Sequence, residues 1–140
     1  ASWNELHSVD ETICKLADLD KLYLNKNDIS SLPENFGNLK SLHLLDLESN
    51  SLTELPNSFC ELSALEWLKL NNNEIAALPA NFGKLKNLGI LYLNGNELVT
   101  LPESFTDLQN LKSLYLSDNY IETDEKTRLR SLMPDIEISW

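Results

Sequence analysis

Two histidines, two cysteines and a spread of carboxylates are what this 140-residue chain offers for covalent or proton-transfer chemistry. His7 and His43 have no partner at catalytic or metal-ligand spacing. No nucleophile motif and no phosphate-binding loop is present. The 22 Asp and Glu residues are scattered, and no loop gathers enough of them to hold calcium. The expectation is a protein without catalytic residues, cofactor or metal. What remains is recognition chemistry. Tyr23, Trp67, Tyr92 and Tyr115, with Leu44 and Ile90, are large aromatic or aliphatic groups at regularly related positions. Such groups carry binding energy when a fold presents them outward.

The charge narrows the partner. With 11 Lys and Arg against 22 Asp and Glu, the formal net charge is -11. Nucleic acid and anionic lipid both require a basic surface, so neither is expected. A cationic protein or peptide fits better. The mix of 42% hydrophobic and 24% charged residues is that of a folded domain. No apolar run approaches the ~18 residues of a membrane span, so no membrane insertion is expected. No signal peptide opens the chain, although Ala1 fits the residue after a cleaved one.

The elements that position these side chains are set by an internal repeat. Leu19, Leu42, Leu65, Leu88 and Leu111 are each 23 residues apart. The sets beginning at Leu22 and Leu24 keep the same beat, as do Asn27, Asn50, Asn73, Asn96 and Asn119. Pro33, Pro56, Pro79 and Pro102 share one position, and Phe36, Phe59, Phe82 and Phe105 share another. Leu22-Tyr23-Leu24 and its equivalents alternate in and out, as a short strand does. One coil cannot bury its inward set alone, so successive coils stack and their strands pair in parallel. Proline ends each ladder, and the Phe-x-x-Leu spacing suits one turn of helix or 3₁₀ on the return arc. The strand side is the more compact, so the sheet is concave. The asparagine column is read as buried amides that satisfy turning backbone. Asn94-Gly95, elsewhere a hairpin signal, falls just after a strand by this phase.

The unit L-x-x-L-x-L-x-x-N-x-L/I-x-x-L-P-x-x-F-x-x-L-x-x resembles the leucine-rich repeat family. Its L-P-x-x-F half is similar to Ras-pathway scaffold, plant intracellular and bacterial members. The resemblance covers essentially the whole chain. It implies an α/β fold: a right-handed solenoid arc with a concave parallel β-sheet, short helical or 3₁₀ turns on the convex side and a C-terminal capping helix. Residues 1–140 are then one domain, with a partial first repeat over 1–18, five units over 19–121 and a cap over 122–140. The family also implies a non-enzymatic protein-interaction module.

Both ends depart from the repeat. Residues 122–133 read as a helix, with Thr123 or Asp124 as cap and Glu125 in the first turn. Leu129, Leu132 and Met133 share one face. Pro134 stops the helix, and 135–138 alternate like one last strand whose charges discourage further pairing. At the other end, Asn4, Leu6, Val9, Ile13 and Leu16 fit the repeat, Asp10 replaces its proline, and Ala1 stands where a core leucine belongs. The reading favours a chain entered partway through a repeat; the alternative is a native start with Trp3 and Leu6 covering the end. An unsealed first strand allows a weak dimer through that edge; otherwise the chain is a monomer. Cys14 and Cys60 lie two repeats apart, so parallel strands at ~4.8 Å separate them by ~10 Å or more, beyond the ~7 Å reach of a disulfide. Free thiols lean toward the cytoplasm, with a bacterial surface or secreted location left open.

The outward strand positions form three columns across the concave sheet. The first is Lys21, Leu44, Trp67, Ile90, Ser113; the second Tyr23, Asp46, Lys69, Tyr92, Tyr115; the third Asn25, Glu48, Asn71, Asn94, Ser117. The candidate partner-binding residues are Tyr23, Leu44, Asp46, Glu48, Trp67, Lys69, Asn71, Ile90, Tyr92 and Tyr115. Asp46, Glu48 and Glu66 add attraction for a basic partner. Three other readings remain open: apolar residues present only for cross-strand packing, a regular array without a dedicated ligand, and a targeting segment of a larger enzyme-containing protein.

Overall fold

Every coil makes the same turn into the core, and one conformation recurs there. Lys26, Ser49, Asn72, Gly95 and Asp118 all have φ between 55° and 67°. This left-handed region is costly for a residue with a side chain, by about 1–2 kcal/mol. Only one of the five positions is glycine, so neighbouring contacts must hold the other four. The next residue in each coil is the repeating asparagine. Asn73 donates from Nδ2 to the Leu47 carbonyl of the preceding coil and to its own Leu70 carbonyl, both at 3.0 Å. Its Oδ1 accepts from Leu52 N–H at 3.0 Å. Asn50, Asn96 and Asn119 repeat the pattern. The amides staple each turn to the coil before it.

The computed structural model describes residues 4–140. Trp3, which the alternative reading of the N-terminal end has covering it, lies outside them, as does Ala1. The strands are β1 (Lys21–Tyr23), β2 (Leu44–Asp46), β3 (Trp67–Lys69), β4 (Ile90–Tyr92), β5 (Ser113–Tyr115) and β6 (Glu137–Ser139). They form one six-stranded sheet in chain order, all parallel. The crossovers wind as a right-handed solenoid. Leu22, Leu45, Leu68, Leu91, Leu114 and Ile138 stand in register. In the central coils the inward leucines are fully buried, and with the phenylalanines they build one continuous core.

The convex side shows a longer rhythm that the 23-residue pattern hides. Its 3₁₀ turns alternate between three and five residues: Phe36–Asn38, Asn57–Glu61, Phe82–Lys84, Glu103–Asp107. Phe36 stacks on Phe59 at 6.0 Å, and Phe82 on Phe105 at 5.8 Å. Gly37 N–H donates to Ser58 Oγ and Gly83 N–H to Ser104 Oγ. A Cβ on Gly37 would sit 1.9 Å from the Ser58 carbonyl oxygen, and on Gly83 1.8 Å from that of Ser104. The outer arcs therefore pair in twos. The signal was present in Gly37 and Gly83 alternating with Cys60 and Thr106.

The C-terminal cap forms, with corrections. Helix α1 spans Thr123–Leu132, and its N-cap position is Glu122, without a side-chain cap bond, rather than Thr123 or Asp124. Leu129 and Met133 are buried, but Leu132 is 51% exposed because the narrow apolar stripe leaves it on the solvent side. Glu125 reaches back instead of serving its own helix end. It accepts from Thr100 Oγ1 at 2.8 Å, Leu101 N–H at 3.3 Å and Arg128 through both oxygens. The Arg128 guanidinium, with Thr100 and Leu101, holds the Glu125 carboxyl down to about 2. Lys126 and Arg130 lie over the Trp140 ring, and β6 completes the sheet.

At the other end residues 4–16 follow the repeat phase. Asp28 N–H donates to the Leu6 carbonyl, and a 3₁₀ turn spans Glu11–Lys15. Asp10, in the proline position, caps it through Thr12 N–H at 2.8 Å. Leu16 is 53% exposed where its counterparts Leu39, Leu62 and Leu85 are fully buried, and Leu6 is also exposed. Cys14 and Cys60 are free and buried, and burial pushes the Cys60 thiol up to about 11.

Two outcomes follow from these contacts. Asn73→Ala should lower stability by about 3 kcal/mol in urea unfolding, because the Leu52 N–H and Leu47 carbonyl lose their buried partner. Unchanged stability would remove the amide ladder from the account. Glu125 has a folded pKa below its ordinary 4.5, so its contribution is complete above that pH and fades as pH falls toward about 2. Glu125→Gln should therefore flatten the loss of urea midpoint across that window relative to wild type.

Candidate functional site

The strands hold their inward leucines so firmly that the outward side chains project from a rigid ladder. Trp67 starts β3 with 41% of its surface exposed, while Leu68 beside it is fully buried. Leu44 and Ile90 are its register partners on β2 and β4. Both are half-buried, and with Trp67 they form the expected apolar strip.

The second column is committed to itself. Asp46 pairs with Lys69 at 3.6 Å. Lys69 Nζ lies 5.9 Å from the centre of the Tyr92 ring, and Tyr92 stacks on Tyr115 at 4.5 Å and 4°. Proximity to Tyr92, helped by burial and Glu137, raises the Tyr115 phenol above its ordinary value. Tyr23 at the head of this column is 46% exposed.

Two of the sequence-expected site residues offer less surface than an outward position implies. Asp46 is only 6% exposed, since it lies between its column neighbours and also accepts from Glu48 N–H at 3.1 Å. Its charge meets Lys69, so it adds little pull on a basic partner. Asn71 is 9% exposed, with no hydrogen bond to its Oδ1. Glu48 is half-buried beside it.

The sheet also carries a column of which the sequence reading used only Glu66. Asp20, His43, Glu66, Gly89 and Lys112 precede the strands. His43 Nδ1 and Asp20 Oδ1 are 2.8 Å apart. A hollow of about 590 Å³ opens against this column, lined by Leu44, Trp67 and Ile90 together with His43, Glu66, Gly89 and Lys112. Asn87 and Asn110 complete its rim, each fixed by donating to a carbonyl of the preceding coil, Ser63 and Lys86, at 2.8 Å. The available signal was Gly89, a missing side chain in a column otherwise filled by polar residues.

This combination of stacked coils, buried asparagine ladder and open concave wall defines a class of interaction solenoids. The leucine-rich repeat region family matches residues 4–73, and the leucine rich repeat family matches residues 77–121. The chain belongs to the leucine-rich repeat family, and it is a protein-interaction module in that general sense. A leucine-rich repeat protein of Leptospira interrogans is 36% identical with a TM-score of 0.74, over 98% of this chain and 41% of its own. An internalin of Listeria monocytogenes is 24% identical with a TM-score of 0.77, over 94% of this chain and 37% of its own. At that identity the internalin speaks to the fold alone. The chain thus spans less than half the length of either protein. No curated protein sequence matches it significantly. Among the described residues no helix is long and apolar enough to cross a membrane.

Proposed function

We propose that this chain binds a protein or peptide partner on its concave face, around Trp67, without catalysing a reaction. The observation that carries this reading is the exposure of Trp67, in mid-sheet and between two aliphatic residues, beside an open hollow. The repeat requires no large apolar residue there: Lys21 and Ser113 occupy the same column at its ends. A rigid wall with an aromatic anchor and a polar rim is how binding hot spots are built. The second column supports a division of labour. Its ion pair, cation–π contact and ring stack are cross-strand packing, which leaves the first column as the recognition surface. Residues 1–140 act in this reading as one interaction domain. In a longer protein, such a domain would bring a partner to whatever adjoins it.

The test uses binders selected from a displayed peptide library on the immobilised wild-type chain. Trp67→Ala should leave the thermal midpoint nearly unchanged and weaken those binders about tenfold or more, as truncation of a hot spot does. Equal capture by both proteins would refute the site.

A further inference from the structure

We infer that the hollow beside Gly89 receives one bulky apolar side chain of a partner polypeptide, held between a basic residue of that segment at Glu66 and an acidic one at Lys112. This deepens the concave-face reading and rests on it. Gly89 is not demanded by the backbone. A Cβ there would meet only the Glu66 carbonyl oxygen at 3.6 Å and that of Asn110 at 3.8 Å, both ordinary contacts. The absent side chain leaves room beside Trp67 and Ile90. The hollow that includes this room has a volume of about 590 Å³, within the range of ligand clefts, about 300–1,000 Å³.

Charge selects the occupant. Glu66 and Lys112 stand one strand to either side of Gly89, so at ~4.8 Å per strand they lie about 10 Å apart, too far to neutralise each other. Neither side chain makes an ion pair or hydrogen bond among the described residues, in contrast to Asp20 with His43 and Asp46 with Lys69. Two opposite, solvent-exposed charges therefore flank an apolar hole with no counter-ion among the described residues. An extended segment rises about 3.3 Å per residue and its side chains share a face every second residue, so charges two residues before and two after an apolar residue flank it on one face, about 13 Å apart, a span that the long Glu66 and Lys112 side chains can meet. The chain as a whole carries -11 and would favour any cation. The hollow, bordered by Lys21, Lys112 and Glu66, asks for both signs.

The test is an NMR titration of the full chain with four capped peptides, read at the Trp67 indole N–H and the Ile90 methyls. One peptide places Lys two residues before Leu and Asp two residues after it; two carry Lys twice or Asp twice at those positions; one replaces Leu with Gly. The mixed-charge Leu peptide should bind about tenfold tighter than each control. Gly89→Leu should fill the hollow and weaken that peptide about tenfold at an unchanged thermal midpoint, with Gly89→Ala as the milder variant should Leu disturb folding. Lys112→Glu should transfer the preference to the doubly basic peptide. Equal binding of all four peptides, no shift at Trp67 and Ile90, or an unaltered ranking with Lys112→Glu would each overturn the inference. If Trp67→Ala still abolishes capture of the selected binders, the concave-face reading stands and only the hollow's chemistry is wrong.

Discussion

The structure depends on one constraint: a chain that turns sharply into its own core must satisfy the backbone groups it buries there. A repeating asparagine meets that requirement. One amide bonds to two carbonyls and one N–H, spanning two coils, as Asn50, Asn73 and Asn96 do. This bonding offsets the left-handed conformation at the preceding residue, which four coils adopt without glycine. It also fixes the vertical distance between coils. Strand register, leucine stacking and the pitch of the solenoid are consequences of that spacing. Cores of such regularity are stable through nearest-neighbour contacts rather than one central nucleus.

The same constraint separates fold from function. Inward positions are filled by the lattice, whereas outward ones are free to vary. Lys21, Leu44, Trp67, Ile90 and Ser113 differ in every coil while the residue after each remains leucine. Neither column is uniform in what it does. The Asp46, Lys69, Tyr92, Tyr115 series consumes its own polar and aromatic potential through contacts between strands. The Trp67 strip does not. Charge is likewise uneven: an acidic chain presents a concave hollow bordered by two lysines and one glutamate.

How much of this was legible in the sequence depends on whether a feature repeats. The fold was legible because Leu22, Asn27, Pro33 and Phe36 recur in phase, and each type has one physical role at its position. The concave columns followed from the two-residue period of a strand. Burial of Asp46 was not legible, since it depends on the Lys69 side chain beside it rather than on the period. The hollow was missed because it opens over Gly89 in a column outside the strands, and no residue pattern marks an absent side chain. At the C-terminal end, where repetition stops, Glu125 looked like a helix-terminal charge. Its actual bonds to Thr100 and Leu101 lie in the preceding coil, and no local pattern encodes them. The pairing of convex arcs needed a count over two coils, from Gly37 to Gly83.

Native-state hydrogen exchange tests the central constraint most directly. Among the described residues, the amides of Ile29, Leu52 and Ile75 are held by asparagine Oδ1 atoms of the following coil. They should exchange only through the global opening that releases the strand amides of Leu45, Leu68 and Leu91, with the same dependence on denaturant. Exchange of those three amides through local fluctuation, at rates independent of denaturant, would contradict the claim that the asparagine bonds hold the coils together.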